Sequence, residues 1–313
     1  MWTAAKASFL VLITGEITLG MLGNGFIALV HCREWVKKGK ISAADFILTS
    51  LAAARILQLG VTLLDSFIVG LFPLMYGSGT AARVVTLLWS LSNHLATWAA
   101  TCLSVLYLLK IATFSHFFFL WLKWRMNRVV LVIFLGSLSF LCADALLQDA
   151  LTELWMLSYR GQERNATVCE DANHPAYLRS LILLSMTYVI PFLLSLISLV
   201  LLFLSLVRHT RNLRRGCVGS RDPSTEAHKR AMTMVMTFLL FSVIYFFSIL
   251  LASWDVFKIH RFWAKMCFVM FSSTFLSGHS FIIIFENSKL RQVASRLLWH
   301  LKFFGGIAKP LAS

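Results

Sequence analysis

Seven times between residues 8 and 285 the chain settles into an apolar stretch about as long as a bilayer is thick, and no other feature limits its fold as much. The stretches run over about 8–30, 46–70, 84–109, 129–147, 181–206, 233–254 and 264–285. At about 1.5 Å rise per residue, each is long enough to cross the hydrocarbon as a helix, a form that satisfies its own backbone in lipid. The pattern predicts an all-α membrane protein, a seven-transmembrane helix bundle that makes one domain of residues 1–313. A short amphipathic helix is expected over 287–304. There Leu290, Val293, Leu297, Leu298 and Leu301 recur on one face and Arg291, Arg296 and Lys302 lie elsewhere, as in a helix lying on a membrane surface.

The net charge of +15 would suit a nucleic-acid binder if the basic residues shared one face, but they follow the spans instead. Arg33, Lys37, Lys38 and Lys40 follow the first span, Lys110, Lys123, Arg125 and Arg128 the third, and Arg208, Arg211, Arg214, Arg215, Arg221, Lys229 and Arg230 the fifth. Lys289, Arg291, Arg296, Lys302 and Lys309 follow the seventh. The opposite side carries far fewer. By the positive-inside rule the N-terminus is expected outside and the C-terminus in the cytoplasm, with the excess charge facing anionic lipid headgroups and cytoplasmic partners rather than nucleic acid. The first span is too long for the apolar region of a cleaved signal and is expected to remain. The six cysteines are scattered over spans and both sides, so no disulfide framework is expected.

Polar residues inside the spans must face protein or a water-filled cavity. In the third span they gather in the outer half, as Ser90, Ser92, Asn93, His94 and Thr97, and Trp89, Asn93 and Thr97 lie at successive turns of one stripe. Pro191 in the fifth span removes a backbone donor and is expected to bend the helix facing that stripe, which makes room for a pocket. Tyr245 of the sixth span carries a hydroxyl that needs a partner. Nearer the cytoplasm, Asn24, Arg55 and His279 fall at similar depth, with Arg55 expected to bond Asn24, a backbone carbonyl, or Ser277 and Ser280. This cluster reads either as a lock between helices or as a lock that also switches. Outside the membrane, Gln148 to Ser180 reads as the longest loop. Within it Asn165-Ala166-Thr167 is a glycosylation acceptor.

No Walker loop, GxGxxG, HExxH or CxxC pair occurs, and Ser277 and His279 lie too close on one helix to act as nucleophile and base. No enzymatic role, cofactor or metal is expected. A multi-span transporter or channel is the alternative to a receptor, but no repeated half is visible, and Glu16, Asp65 and Asp144 trace no ion path.

The stretches ADFILTSLAAAR, TWAATCLSVLYLLKIATFSH, FLWLKWRMN, LFLSLVRHTRNL, TEAHKRAM and HSFIIIFENSKLRQ fall at the matching spans of a known family. Along essentially its whole length the chain resembles the type 2 taste receptors, the bitter-sensing family of G-protein-coupled receptors. It departs from them at Ala54, Leu106, Phe117 and Glu286. The resemblance implies a plasma-membrane receptor that binds small bitter agonists in the outer half of the bundle and activates a G protein with a gustducin-like, inhibitory-class alpha subunit. Trp89, Asn93, Met186, Tyr245 and Phe271 are the implied ligand residues. Tyr107, Lys110, Arg211, His228, Met232 and Lys289 are the implied coupling face and latch, with Asn24, Arg55 and His279 as the switch behind them.

Overall fold

The computed structural model describes residues 2–72, 80–163, 167–216, 233, 236–249 and 262–307. Among them every regular element is helical: α1 (Trp2–Lys38), α2 (Ala43–Leu71), α3 (Thr80–Ile111), α4 (Phe117–Trp124), α5 (Met126–Glu163), α6 (Thr167–Gly216), α7 (Met236–Ile249), α8 (Phe262–Glu286) and α9 (Ser288–Ile307). Six of these helices are long and apolar enough to cross a membrane, and α7 is a shorter apolar one, in keeping with a seven-helix membrane bundle.

Local chemistry sets several boundaries. Gly39 adopts φ 64°, a left-handed conformation that costs glycine little, and its N–H returns to the Trp35 carbonyl to close α1. Ser42 opens α2 by accepting the Asp45 N–H at 3.1 Å. Asn287 breaks the chain between α8 and α9, where its side-chain oxygen accepts the N–H groups of Lys289 and Leu290.

The segment expected as a long outer loop is largely helical, because α5 runs on to Glu163 and α6 begins at Thr167. The reason is visible at the outer end of α5. Leu147, Leu151 and Leu154 recur at helical spacing and pack on Leu184 and Tyr188 of α6, so continuing the helix buries apolar surface that a loop would expose.

The bundle is held by two main apolar clusters. At the end of the bundle that carries α9, Leu48 and Leu51 of α2, Leu103 and Leu106 of α3, and Ile283 of α8 pack together with Leu290 of α9, which fixes the amphipathic helix to the bundle. On the outer side Ile13 and Ile17 of α1 meet Leu59 of α2 and Met266, Val269 and Leu276 of α8. The seam between α1 and α8 depends on two glycines. A Cβ at Gly20 would overlap the Ser277 hydroxyl, and one at Gly23 would lie 2.7 Å from that of Ser280. Cys32, Cys102, Cys142 and Cys267 are free.

Candidate functional site

The polar stripe of α3 is turned into the bundle, and Asn93 and His94 are engaged by different helices. Asn93 is fully buried. Its side-chain oxygen accepts from the Tyr245 hydroxyl of α7 at 2.6 Å and from the Gln58 amide of α2 at 3.2 Å, and the same amide donates to the Tyr245 oxygen at 2.7 Å. Three helices thus meet in one closed ring of hydrogen bonds. Gln58 escapes the sequence reading, although an amide one turn beyond Arg55 in an otherwise apolar run was the available signal.

Next to Asn93, the His94 ring is held at both nitrogens. Nδ1 lies 2.6 Å from an Asp144 carboxylate oxygen and Nε2 lies 3.0 Å from the Ser137 carbonyl. Both side chains are buried, so α3 and α5 are joined by a histidine–aspartate pair inside the bundle. Two turns further along α3, the Ser195 hydroxyl of α6 donates to the Thr101 hydroxyl at 3.0 Å, and Thr101 donates to the carbonyl of Pro191 at 3.1 Å. Pro191 lies inside an unbroken helix, and the carbonyl at this irregular position is satisfied from α3.

Beneath the Asn93 ring a cleft with about 590 Å³ of empty space opens between α2, α3, α6, α7 and α8. Thr97 and Ala100 form one wall, Tyr188, Pro191, Phe192 and Ser195 a second, and Tyr245, Phe246 and Phe275 a third, with Arg55 of α2 also in the lining. Its aromatic walls are themselves packed: Phe192 stacks on Phe246 at 4.0 Å between centroids, and Tyr245 on Phe275 at 4.5 Å. The lining suits a largely apolar molecule with a few directional contacts.

Of the five residues expected to bind ligand, Tyr245 lines this cleft, Asn93 and Tyr245 are joined directly, and Trp89 sits above them against Val85, Leu151 and Leu184. Met186 and Phe271 are not brought to it: their side chains are 53% and 65% exposed. Helical phase explains both corrections. The inward stripe of α8 runs through Val269, Ser273 and Leu276, and Phe271 lies two residues from Val269 and Ser273, about 200° around the helix from each. Met186 stands in the same relation to the buried Leu184 and Tyr188 of α6. The aromatic wall assigned to Phe271 is supplied by Phe275, one turn deeper.

In the cleft lining Arg55 is 2% exposed, and its Nη1 donates to His279 Nδ1 at 2.6 Å. A guanidinium only donates, so this ring nitrogen accepts and His279 is the neutral tautomer protonated at Nε2. Asn24 lies in the same inner half of α1 but bonds elsewhere, donating to the Gly20 carbonyl of its own helix at 2.9 Å. The expected Arg55 bonds to Asn24, Ser277 or Ser280 are absent among the described residues, because the His279 ring reaches the guanidinium and Ser280 turns back to the Ser277 carbonyl.

Where α9 meets α1 and α2, Lys289 of α9 bonds Glu34 of α1 and stands 3.6 Å from Asp45 of α2, which in turn lies 3.0 Å from His31 Nδ1. His31, Glu34 and Asp45 present their donor atoms within 4.8 Å of one another, and the lysine ammonium supplies positive charge to this cluster. Tyr107 is half-buried against the inner clusters, while Lys110 and Arg211 are exposed. Asn165, His228 and Met232 lie outside the described residues.

Comparison with known proteins gives the arrangement a context. The family model described as taste receptor protein (TAS2R) matches residues 1–302. Taste receptor type 2 member 42 of Pan troglodytes is 46% identical over 315 residues, covering 99% of each chain, and that of Homo sapiens is 46% identical over 315 residues with the same coverage. Taste receptor type 2 member 7 of Pongo pygmaeus is 40% identical over 301 residues, covering 96% of this chain and 95% of the relative.

Proposed function

Because the chain belongs to the type 2 taste receptor family, we propose that its bitter agonists bind in the cleft beneath the Asn93–Tyr245 bond. The protein is a multi-pass membrane receptor, a bitter taste G-protein-coupled receptor that takes small-molecule ligands, and membership of a receptor family implies a non-enzymatic role. The single observation that carries the site assignment is the position of Tyr245. It lines the cleft and also closes the hydrogen-bonded ring that joins α2, α3 and α7. A ligand pressing on that ring changes how three helices are held together. It drives activation to the extent that it binds the rearranged state more tightly.

Tyr245 faces the ligand in this reading, with Phe275, Phe192 and Tyr188 completing the walls, while Asn93 acts through its bond to Tyr245 and Trp89 packs above them. Breadth rather than tight affinity follows from many aromatic surfaces and few directional groups. The switch is the Arg55–His279 contact at the cleft, with Asn24 beside it. The coupling face comprises Tyr107, Lys110, Arg211, His228, Met232 and Lys289, and the partner is a gustducin-like alpha subunit of the inhibitory class.

The basic residues that follow alternate spans support a cytoplasmic C-terminus, an outer N-terminus and contact with anionic lipids of the plasma membrane. The test is nucleotide exchange on such a G protein in membranes carrying the chain, against a panel of bitter compounds. Exchange in response to panel members is expected. Loss of all responses in Phe275→Ala and Phe192→Ala, with surface delivery intact, supports the cleft, and unchanged dose-response curves in both variants reject it.

A further inference from the structure

We infer that Arg55 makes the cleft selective for agonists carrying a monovalent anionic group, with the guanidinium receiving that group. The inference deepens the proposed function and rests on agonists occupying the cleft.

Arg55 is 2% exposed and lines the cleft. A guanidinium has five N–H donors and keeps its charge in proteins. Yet its one hydrogen bond among the described residues goes to a neutral imidazole nitrogen, and its buried Nε has no partner. The remaining contact is the ring of Phe275, 5.7 Å from the guanidinium carbon to the centroid, which offers only the face of a π-system.

No carboxylate among the described residues lies within ion-pair distance of Arg55, and the acids of neighbouring helices are engaged elsewhere. Asp144 is held by His94 and Glu16 accepts from Thr274, while Asp45 lies with His31 and Lys289 where α9 meets α1 and α2. A buried ion is tolerated when it is paired and hydrogen-bonded. Here the fold supplies neither a counter-charge nor enough acceptors, and the side that is not protein is the cleft.

A planar anion matches what is missing. A carboxylate brings one negative charge and two acceptor oxygens spaced for the guanidinium fork. The rest of the cleft asks for an apolar body, since Pro191, Phe192, Phe246 and Phe275 dominate its walls. The preferred ligand is therefore an aromatic or alicyclic molecule with an acidic group at one end, oriented with that group toward Arg55. Free chloride offers the same charge without the body, and the experiment separates the two sources.

The test is G-protein nucleotide exchange in nanodiscs carrying the full chain, using a panel of aromatic carboxylates, each paired with its primary carboxamide, at a pH where the acids are ionised. Carboxylates should be more potent than their amides by about ten- to a hundred-fold, the range of a charge-assisted hydrogen bond. Arg55→Gln should bring each pair to within about two-fold, and Arg55→Lys, which keeps the charge but not the fork, should fall between.

Thermal stabilisation of the nanodisc receptor by the same acids provides a readout that does not require coupling, and it should vanish in Arg55→Gln. Equal potency of acids and amides on the unaltered receptor, or a preference that survives Arg55→Gln, overturns the inference while leaving the cleft assignment standing. A carboxylate potency that falls as chloride replaces a bulky anion, with the amide potency unchanged, shows the two anions competing for the guanidinium and supports the inference. Dose-response curves of the acids and of the amides that do not change in Phe275→Ala overturn the cleft assignment itself.

Discussion

The hydroxyl of Tyr245 on α7 donates to the side-chain oxygen of Asn93 on α3 at 2.6 Å, and both atoms are shared with the Gln58 amide of α2. The bond links the cleft to the packing of three helices.

Tyr245→Phe removes the hydroxyl and leaves the ring with only the Gln58–Asn93 bond at 3.2 Å. A loss of about 1–2 kcal/mol of stability is expected, together with raised exchange in the absence of agonist, because α7 is freed from α3. Basal nucleotide exchange and thermal unfolding in detergent check this. A variant as quiet and as stable as the parent would show that the ring constrains nothing.

The His94–Asp144 pair predicts a marked asymmetry between single and double changes. Asp144→Asn keeps the shape and one acceptor for the imidazole N–H, and should cost little beyond the lost charge. His94→Ala leaves a buried carboxylate unpaired and should cost about 3–5 kcal/mol, and adding Asp144→Leu to it should recover much of that loss. Surface expression and thermal midpoints of the three variants decide the matter, and a double variant no better than His94→Ala would contradict the pairing.

Lys289 connects α9 to Glu34 and Asp45, at the junction of α1 and α2. Lys289→Glu places three acidic groups together and should detach α9, lowering agonist-driven exchange several-fold. Glu34→Lys combined with Lys289→Glu restores one opposite pair and should return part of the signal. Because the contact is partly exposed, its contribution to global stability is small, about 1 kcal/mol or less, and the coupling assay is the sensitive readout.

Asn165 belongs to an acceptor triplet in the segment expected outside the membrane. Asn165→Gln should remove a glycan, raise gel mobility and reduce surface delivery. Glycosidase treatment that leaves the parent band unmoved would refute occupancy.

Helix number, helix type and the amphipathic helix at the end of the chain are legible in the sequence because lipid permits few solutions to a long apolar run. Individual partners were less legible. Asn93 and Tyr245 stand out as polar groups in apolar spans, but nothing in one sequence says that they bond each other or that Gln58 joins them, since 152 residues separate the pair. Met186 and Phe271 show the opposite failing. Both have plausible chemistry at plausible depth, but rotation about the helix axis, which depth cannot reveal, turns them out of the bundle. Arg55 was legible as a cost and not as a contact. The sequence placed the charge at the right level, and only the packed helices show that His279, rather than an amide or a serine, receives it.

The contact of Gly20 and Gly23 with Ser277 and Ser280 has a mechanical consequence. Two helices touching almost backbone to backbone have no long side chains to compress between them, so α1 and α8 are expected to move as one body while the Arg55–His279 contact rearranges beside them. Rearrangement driven by agonist is then expected in helices outside that unit, α6 and α7 among them. Spin labels at the inner ends of α1 and α8 should keep their separation when agonist and G protein bind, while a label on α6 moves away from both.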